Sequence, residues 1–425
     1  MTAKRGLFIL GGSSYYTLLL LESLKSQGVA AGFSHITLFG RNRERLELIA
    51  ELGNDLLAGA CPVDISQDIE TCLDSSYGFI FNQIRFGGMS SRDRDEKIAL
   101  AHDLAADETI GIVGVSNAIR AIEGMTPYLE VIRKKSGPYK LVNFTNPCSI
   151  LTQYMVQHYR LPAIGICDYP EVMKQAIARA LALPAPELDM AYFGLNHFGV
   201  VHSVKHRGQE LLPQVLATEL AFKPECNRYF DNLLNVSWRF VFERNRLVKE
   251  QQAGTNRAAH LLAFEQQMDD LLSRGERQLS AYFSVLKQRN CDWFNLVVSP
   301  LFANLLGQDT SPVIANIPAK EAFVPEDAPC VMEGRCSGEF DFIKPQVLPP
   351  QLLHSQEYAL IKVMKLSEYQ LLQGILRRDP KRIIGACVNN PMIQDLHKVL
   401  AYFDALSAED ETIKAIFSNP TAVKE

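Results

Sequence analysis

The run Leu7-Phe8-Ile9-Leu10-Gly11-Gly12-Ser13-Ser14-Tyr15-Tyr16-Thr17 decides how this chain is read. Four apolar residues, Leu7–Leu10, make a buried strand. A turn over Gly11–Tyr16 follows, and Thr17–Ser26 then carries an apolar face at helical spacing. Strand, glycine turn and helix together form an anion site: backbone N–H groups at the helix start point at a pyrophosphate, and absent side chains let it approach. The usual dinucleotide turn has three glycines, whereas here Ser13 and Ser14 follow two. The turn therefore reads either as a dinucleotide site built from Gly11, Gly12, Ser13 and Ser14 or as an ordinary βα connection.

Working outward, strands are expected at Ser34–Phe39, Gly78–Ile84 and Tyr139–Phe144, with another beginning at Ile164–Ile166. A helix is expected at Asn42–Leu57. This alternation is the signature of βαβ units and a parallel sheet. Ligands gather at the carboxyl ends of such strands. Those ends are polar here: Gly11–Ser14, Gly40-Arg41-Asn42, Asn82-Gln83-Ile84-Arg85, Asn143–Pro147 and Cys167-Asp168. Gln83 and Arg41 join the turn residues as cofactor candidates. NAD-selective enzymes place an acid at the end of strand two, but this chain has Gly40 followed by Arg41. A guanidinium there either pairs a 2′-phosphate, which admits NADP, or begins a solvated helix with Arg43 and Arg45.

Beyond about Met190 the pattern changes. Phe193–Val204 is strand-like, Glu219–Glu276 mostly helical, Phe294–Val298 and Val313–Ile317 strand-like again, and Gln356–Ile416 helical with a break at Asn389-Asn390-Pro391. No linker rich in Pro, Gly or Ser separates the halves. The expected fold class is α/β: a Rossmann-like dinucleotide-binding domain over 1–170 and an α+β domain over 171–425 for substrate, metal and oligomer contacts, packed against each other as in lactate and malate dehydrogenases.

The chain has 425 residues, enough for two domains, with 43 Lys and Arg against 48 Asp and Glu. A net charge of −5 without a basic run argues against a nucleic-acid partner. No apolar stretch reaches the roughly 18–20 residues of a membrane span, and no secretory signal pattern is present. Nine cysteines without paired spacing read as reduced thiols. A soluble cytoplasmic protein is expected.

Cys167 and His197 come from segments about thirty residues apart. As two ligands they would leave a divalent ion open to substrate oxygens and water, as catalysis requires; a buried cysteine and a satisfied core histidine give the same spacing. Asp168 beside them is a proton donor or a helix cap.

In order, the chain carries Gly11–Thr17, then Gln83-Ile84-Arg85-Phe86-Gly87-Gly88 with Arg92 and Asp95-Glu96-Lys97. Asp107-Glu108-Thr109, Asn143-Phe144-Thr145-Asn146-Pro147, Cys167-Asp168-Tyr169-Pro170 and Gly194-Leu195-Asn196-His197-Phe198-Gly199 follow. This ordered set resembles family 4 of the glycoside hydrolases, NAD- and manganese-dependent enzymes acting on 6-phospho-glucosides and related sugars. The resemblance implies hydrolysis by transient oxidation at C3, elimination across C1–C2 and re-reduction, unlike the two-carboxylate route. It implies that Cys167 and His197 are metal ligands and Asp168 the acid on the leaving group. Arg92, Glu108, Asn146, Asn196 and Arg257 would contact a phosphorylated sugar, the two arginines pairing with its phosphate. As an alternative, Arg92 pairs Asp95 or Glu96 on a solvated helix face. Cys-Asp at 167–168 leans toward 6-phospho-α-glucosides, and family members form homodimers or homotetramers.

Three departures stand out: Ser13 for the third glycine, Gly40 for the strand-two acid, and Ser237 where α-type members carry a tyrosine base. Tyr229, Tyr282 and His260 are substitute bases to consider. The departures motivate the rivals: an NAD(P)-dependent sugar-phosphate dehydrogenase, β-linked specificity, and a non-catalytic sensor of sugar phosphate or nucleotide.

Overall fold

The computed structural model describes residues 4–254, 256–289, 292–319, 330–336 and 348–418. Its strands are β1 (Gly6–Leu10), β2 (Ile36–Phe39), β3 (Val63–Ser66), β4 (Tyr77–Asn82), β5 (Lys140–Asn143), β6 (Ala163–Gly165), β7 (Leu188–Leu195), β8 (Phe198–His206), β9 (Gln209–Glu210), β10 (Leu233–Leu234), β11 (Val313–Ala319) and β12 (Cys330–Cys336). The first six pair in parallel in the order 3-2-1-4-5-6, the order of dinucleotide-binding domains. The sheet continues through antiparallel β11, β12, β7, β8 and β10, crossing from β6 at the pair Gly165–Asn316. The α/β class and the dehydrogenase-like architecture expected from sequence are thus the observed ones.

A strand covered on both faces must be apolar throughout, and β1 is buried at every position. Its side chains alternate between two cores. Phe8 and Leu10 join Ile80, Leu141 and the helix Ile112–Lys135, while Leu7 and Ile9 join Phe79, Phe81 and the helices Thr17–Ser26 and Arg43–Leu57. Asn42 caps the latter helix, its side chain accepting from the Arg45 N–H at 3.0 Å. Helices on both faces leave one open edge for chemistry, the carboxyl ends of β1, β4, β5 and β6.

Phe294–Val298 is not a strand. It forms a wide π-helical turn in which Phe294, Val297 and Val298 are buried against the Thr17–Ser26 layer. Spacing of three and four fits a helical face as well as an apolar run fits a strand, and periodicity alone does not separate the two in so short a segment. Strands β3 and β12 were not anticipated. The eight cysteines among the described residues are all free, and no helix among them is long and apolar enough to cross a membrane.

The C-terminal helices are pinned to the first half by a buried charge cluster. Asp95, wholly buried, pairs with Arg120 and accepts from the Ser116 hydroxyl at 2.6 Å. Asp410 accepts from Arg94 at 2.5 Å and Arg120 at 3.0 Å. Removing one partner of such a cluster leaves an uncompensated buried charge. Arg120→Met is therefore expected to cost about 3–5 kcal/mol in urea unfolding.

Candidate active site

A cavity of about 960 Å3 opens at the carboxyl ends of the parallel strands. It is lined by Gly11, Ser13, Ser14, Arg41, Gln83, Arg92, Glu108, Asn146, Cys167, Asp168, His197, Ser237 and Arg257. Two residues read from sequence as site residues do not line it. Gly12 packs against Leu38 below the turn. Asn196 is wholly buried and donates through Nδ2 to Glu333 Oε1 at 3.3 Å, so it faces away from substrate.

At the cofactor end, Gly11 has φ +88°, and a Cβ there would stand 2.9 Å from the Ile84 nitrogen, so only glycine fits. The Gly11 and Gly12 N–H groups donate to the Phe39 carbonyl at 3.0 and 2.8 Å, tying the turn to β2. Gln83 Nε2 donates to the Gly11 carbonyl at 3.2 Å and the Thr17 hydroxyl at 2.8 Å, holding the turn against β4. No side chain caps the helix Thr17–Ser26, whose start opens on the cavity. Two departures from the dinucleotide pattern prove to be one. A Cβ on Gly40 would lie 2.7 Å from Ser13 Oγ, so the serine that replaces the third glycine fills the space an acid at the end of β2 would need. Arg43 pairs with Glu47 at 2.8 Å, and Arg45 with Glu265 at 2.8 Å and Asp269 at 2.5 Å. The Arg41 guanidinium has no partner among the described residues and lines the cavity.

At the far end, β6 delivers Cys167 and the β7–β8 hairpin delivers His197, whose φ of +60° turns its ring into the cavity. The ring lies 4.7 Å from that of Tyr169. Neither ring nitrogen has a hydrogen-bond partner among the described residues, and burial lowers the imidazole below its ordinary value. A neutral, unpaired imidazole is what metal ligation needs. Cys167 Sγ lies 3.7 Å from Asp168 Oδ1. Burial, then the neighbouring carboxylates Asp168 and Glu333, raise its thiol well above the usual range, so a nearby cation favours the thiolate. Burial also raises the Asp168 carboxyl. Among the described residues no three His, Cys, Asp or Glu side chains gather as a metal nest. An ion here would take two ligands from the chain and the rest from substrate and water, and the donor set fits that use.

Arg92 pairs with Glu96 and Glu108, each at 2.6 Å; the alternative pairing with Glu96 forms, but both side chains are buried rather than on a solvated helix face. Arg85, not singled out from sequence, also pairs with Glu108. Burial works against that carboxylate, but Arg85 and Arg92 hold it at about 2. Arg257 is exposed, forms no ion pair among the described residues and stands at the first position of the helix Arg257–Ser273. A free guanidinium over a helix N-terminus suits a phosphate.

Ser237 is buried and lines the cavity together with Tyr169, whose hydroxyl burial pushes up to about 12 and the nearby serine side chain draws back down in part. A tyrosine oxygen thus stands beside the serine, supplied by the residue after Asp168. The three substitute bases considered from sequence lie elsewhere. Tyr229 is 70% exposed and Tyr282 stacks on Tyr15, while neither these two nor His260 lines the cavity.

Fold and cavity together define an α/β protein with the strand order of dinucleotide-binding domains and a cavity at the strand ends. The chain matches the model of the family 4 glycosyl hydrolases over residues 7–183. It is 25% identical over 270 residues to the 6-phospho-beta-glucosidase BglT of Thermotoga maritima, covering 61% of this chain and 65% of that one. To the phospho-alpha-glucosidase PagL of Clostridium acetobutylicum it is 29% identical over 250 residues, covering 56% and 55%. The matches thus span under two thirds of these relatives' lengths. A Thermotoga maritima 6-phospho-beta glucosidase structure with manganese, NAD+ and glucose-6-phosphate superposes with a TM-score of 0.81 at 20% identity, covering 99% of this chain and 100% of that one. The lactate dehydrogenase MGS-M5, from a deep-sea metagenome, superposes with a TM-score of 0.53 at 11% identity over 88% of this chain and 98% of its own. These structural likenesses speak for the fold.

Proposed function

We propose that the chain hydrolyses 6-phosphorylated glucosides, α-linked ones in first place, by transient oxidation and elimination with NAD(H) and a divalent metal such as Mn²⁺. The observation that carries this reading is one cavity joining an uncapped glycine turn to Cys167, Asp168 and His197. When bound, the dinucleotide supplies reversible hydride acceptance and the ion supplies Lewis acidity. The chain supplies the remainder. Cys167 and His197 hold the ion. Asp168, raised by its burial and set beside them, delivers a proton to the departing oxygen. Arg257 takes the sugar phosphate. Glu108, fixed by Arg85 and Arg92, and Asn146 on the cavity wall orient the sugar hydroxyls. A cytoplasmic location and a homodimer or homotetramer accompany this reading.

The test is purified protein with NAD+, Mn²⁺ and thiol reductant, which is expected to release the aglycone from a chromogenic 6-phospho-α-glucoside. Absence of turnover on both α- and β-linked substrates would overturn the proposal. Ser237 favours one other reading, an NAD(P)-dependent sugar-phosphate dehydrogenase. That reading requires reduced cofactor to accumulate with turnover, whereas the hydrolase returns its cofactor unchanged.

Arg41 gives a separate expectation. With no acid at Gly40 to repel a 2′-phosphate, NADP+ is expected to bind alongside NAD+. Removing a charge-assisted contact in Arg41→Ala should weaken NADPH roughly tenfold to a hundredfold and leave NADH unchanged in fluorescence titrations.

A further inference from the structure

Glu333, in the middle of β12, is wholly buried, yet it forms no ion pair among the described residues. Its three partners are neutral donors: Asn316 Nδ2 at 2.9 Å, the Tyr192 hydroxyl at 3.0 Å and Asn196 Nδ2 at 3.3 Å. Both amides turn their NH₂ groups toward the carboxylate, which leaves Asn196 Oδ1 and Asn316 Oδ1 buried without partners. An arrangement that orphans two acceptors to present three donors is built around an acceptor-only, ionised carboxylate.

Strand register shows what this carboxylate holds. Glu333 stands opposite Gly194 on β7 and Asn316 on β11, and Asn316 stands opposite Gly165 on β6. Strand β6 ends two residues before Cys167, and β7 ends at the residue before Asn196, next to His197. Asp168 raises the Glu333 carboxyl, and Glu333 in turn raises the Cys167 thiol, so its charge reaches the site directly. Burial without a compensating cation pushes its carboxyl up to about 7. A cysteine and a neutral histidine bring at most one negative charge to a divalent ion. The missing countercharge lies on β12, which pairs with β7 directly and reaches β6 through β11.

We propose that Glu333 is a positioning residue for the divalent ion held by Cys167 and His197. It fixes Asn196, and through it His197, and balances the charge of the ion from β12. This inference rests on the metal reading above.

The test is calorimetric titration of the full chain with Mn²⁺ at pH 8 under thiol reductant, alongside thermal unfolding and NAD+ binding. Glu333→Gln keeps the shape and removes the charge. Its Mn²⁺ affinity is expected to fall at least tenfold, within the range seen when groups supporting metal ligands are changed, with NAD+ affinity unchanged. The double variant Glu333→Gln with Asn316→Asp moves the carboxylate one strand across, to the partner 2.9 Å away, and is expected to recover most of the affinity. Glu333→Gln binding Mn²⁺ as tightly as the parent would overturn the inference alone. If Glu333→Gln does not fold, a folded double variant that fails to bind Mn²⁺ overturns it equally. A parent chain that does not bind Mn²⁺ overturns the metal reading itself, and this inference with it.

Discussion

Cys167→Ser is expected to cost the protein its Mn²⁺ and roughly 10³-fold or more in turnover, because Lewis-acid stabilisation of developing charge is worth several kcal/mol. The substitution is nearly isosteric at a position 7% exposed, so packing is preserved. What changes is the atom: a serine hydroxyl stays neutral where a thiol beside a cation becomes a thiolate. Cobalt gives a readout independent of activity. The parent loaded with Co²⁺ should show sulfur-to-cobalt charge-transfer absorption, and the serine variant should not. A variant that keeps both the absorption and the turnover would show that the ion sits elsewhere.

Asp168→Asn should give the second large effect, and its size should depend on the substrate. A positioned acid contributes about 10²- to 10⁴-fold when the leaving group needs a proton. A sugar alkoxide needs one and a nitrophenolate does not. The variant is therefore expected to lose about that factor on a 6-phosphorylated disaccharide and far less on a nitrophenyl 6-phospho-glucoside. Equal losses on both would assign Asp168 to binding, since its side chain makes no cap hydrogen bond to the helix Tyr169–Leu181.

Much of this site was legible because parallel strands announce themselves. Leu7–Leu10 is apolar at four successive positions because both faces are covered, and the residues after each such run fall at the open edge. Cys167, Asp168, Arg41 and Asn146 reach the cavity by that rule. The rule fails where a residue's environment is set by partners distant in sequence. Glu333 sits in Val331-Met332-Glu333-Gly334-Arg335 and reads as an exposed charge. Only the pairing of β12 between β7 and β11 buries it. Asn196 neighbours His197, yet its side chain points to the opposite side and meets that same carboxylate. Arg92 was legible as a partner of Glu96 but not of Glu108, which comes to it from another loop. The interlock of Ser13 with Gly40 shows the same limit: two deviations, 27 residues apart in the numbering, are one packing choice that only contact distances reveal.

The most direct test of the account is turnover of a 6-phospho-glucoside in D₂O with the product read by proton NMR. Oxidation and elimination remove the C2 proton and water returns it, so the glucose 6-phosphate formed should carry deuterium at C2 while the cofactor ends as it began. Product formed without deuterium at C2 would mean direct displacement at C1, and the cavity around Cys167 and His197 would need another explanation.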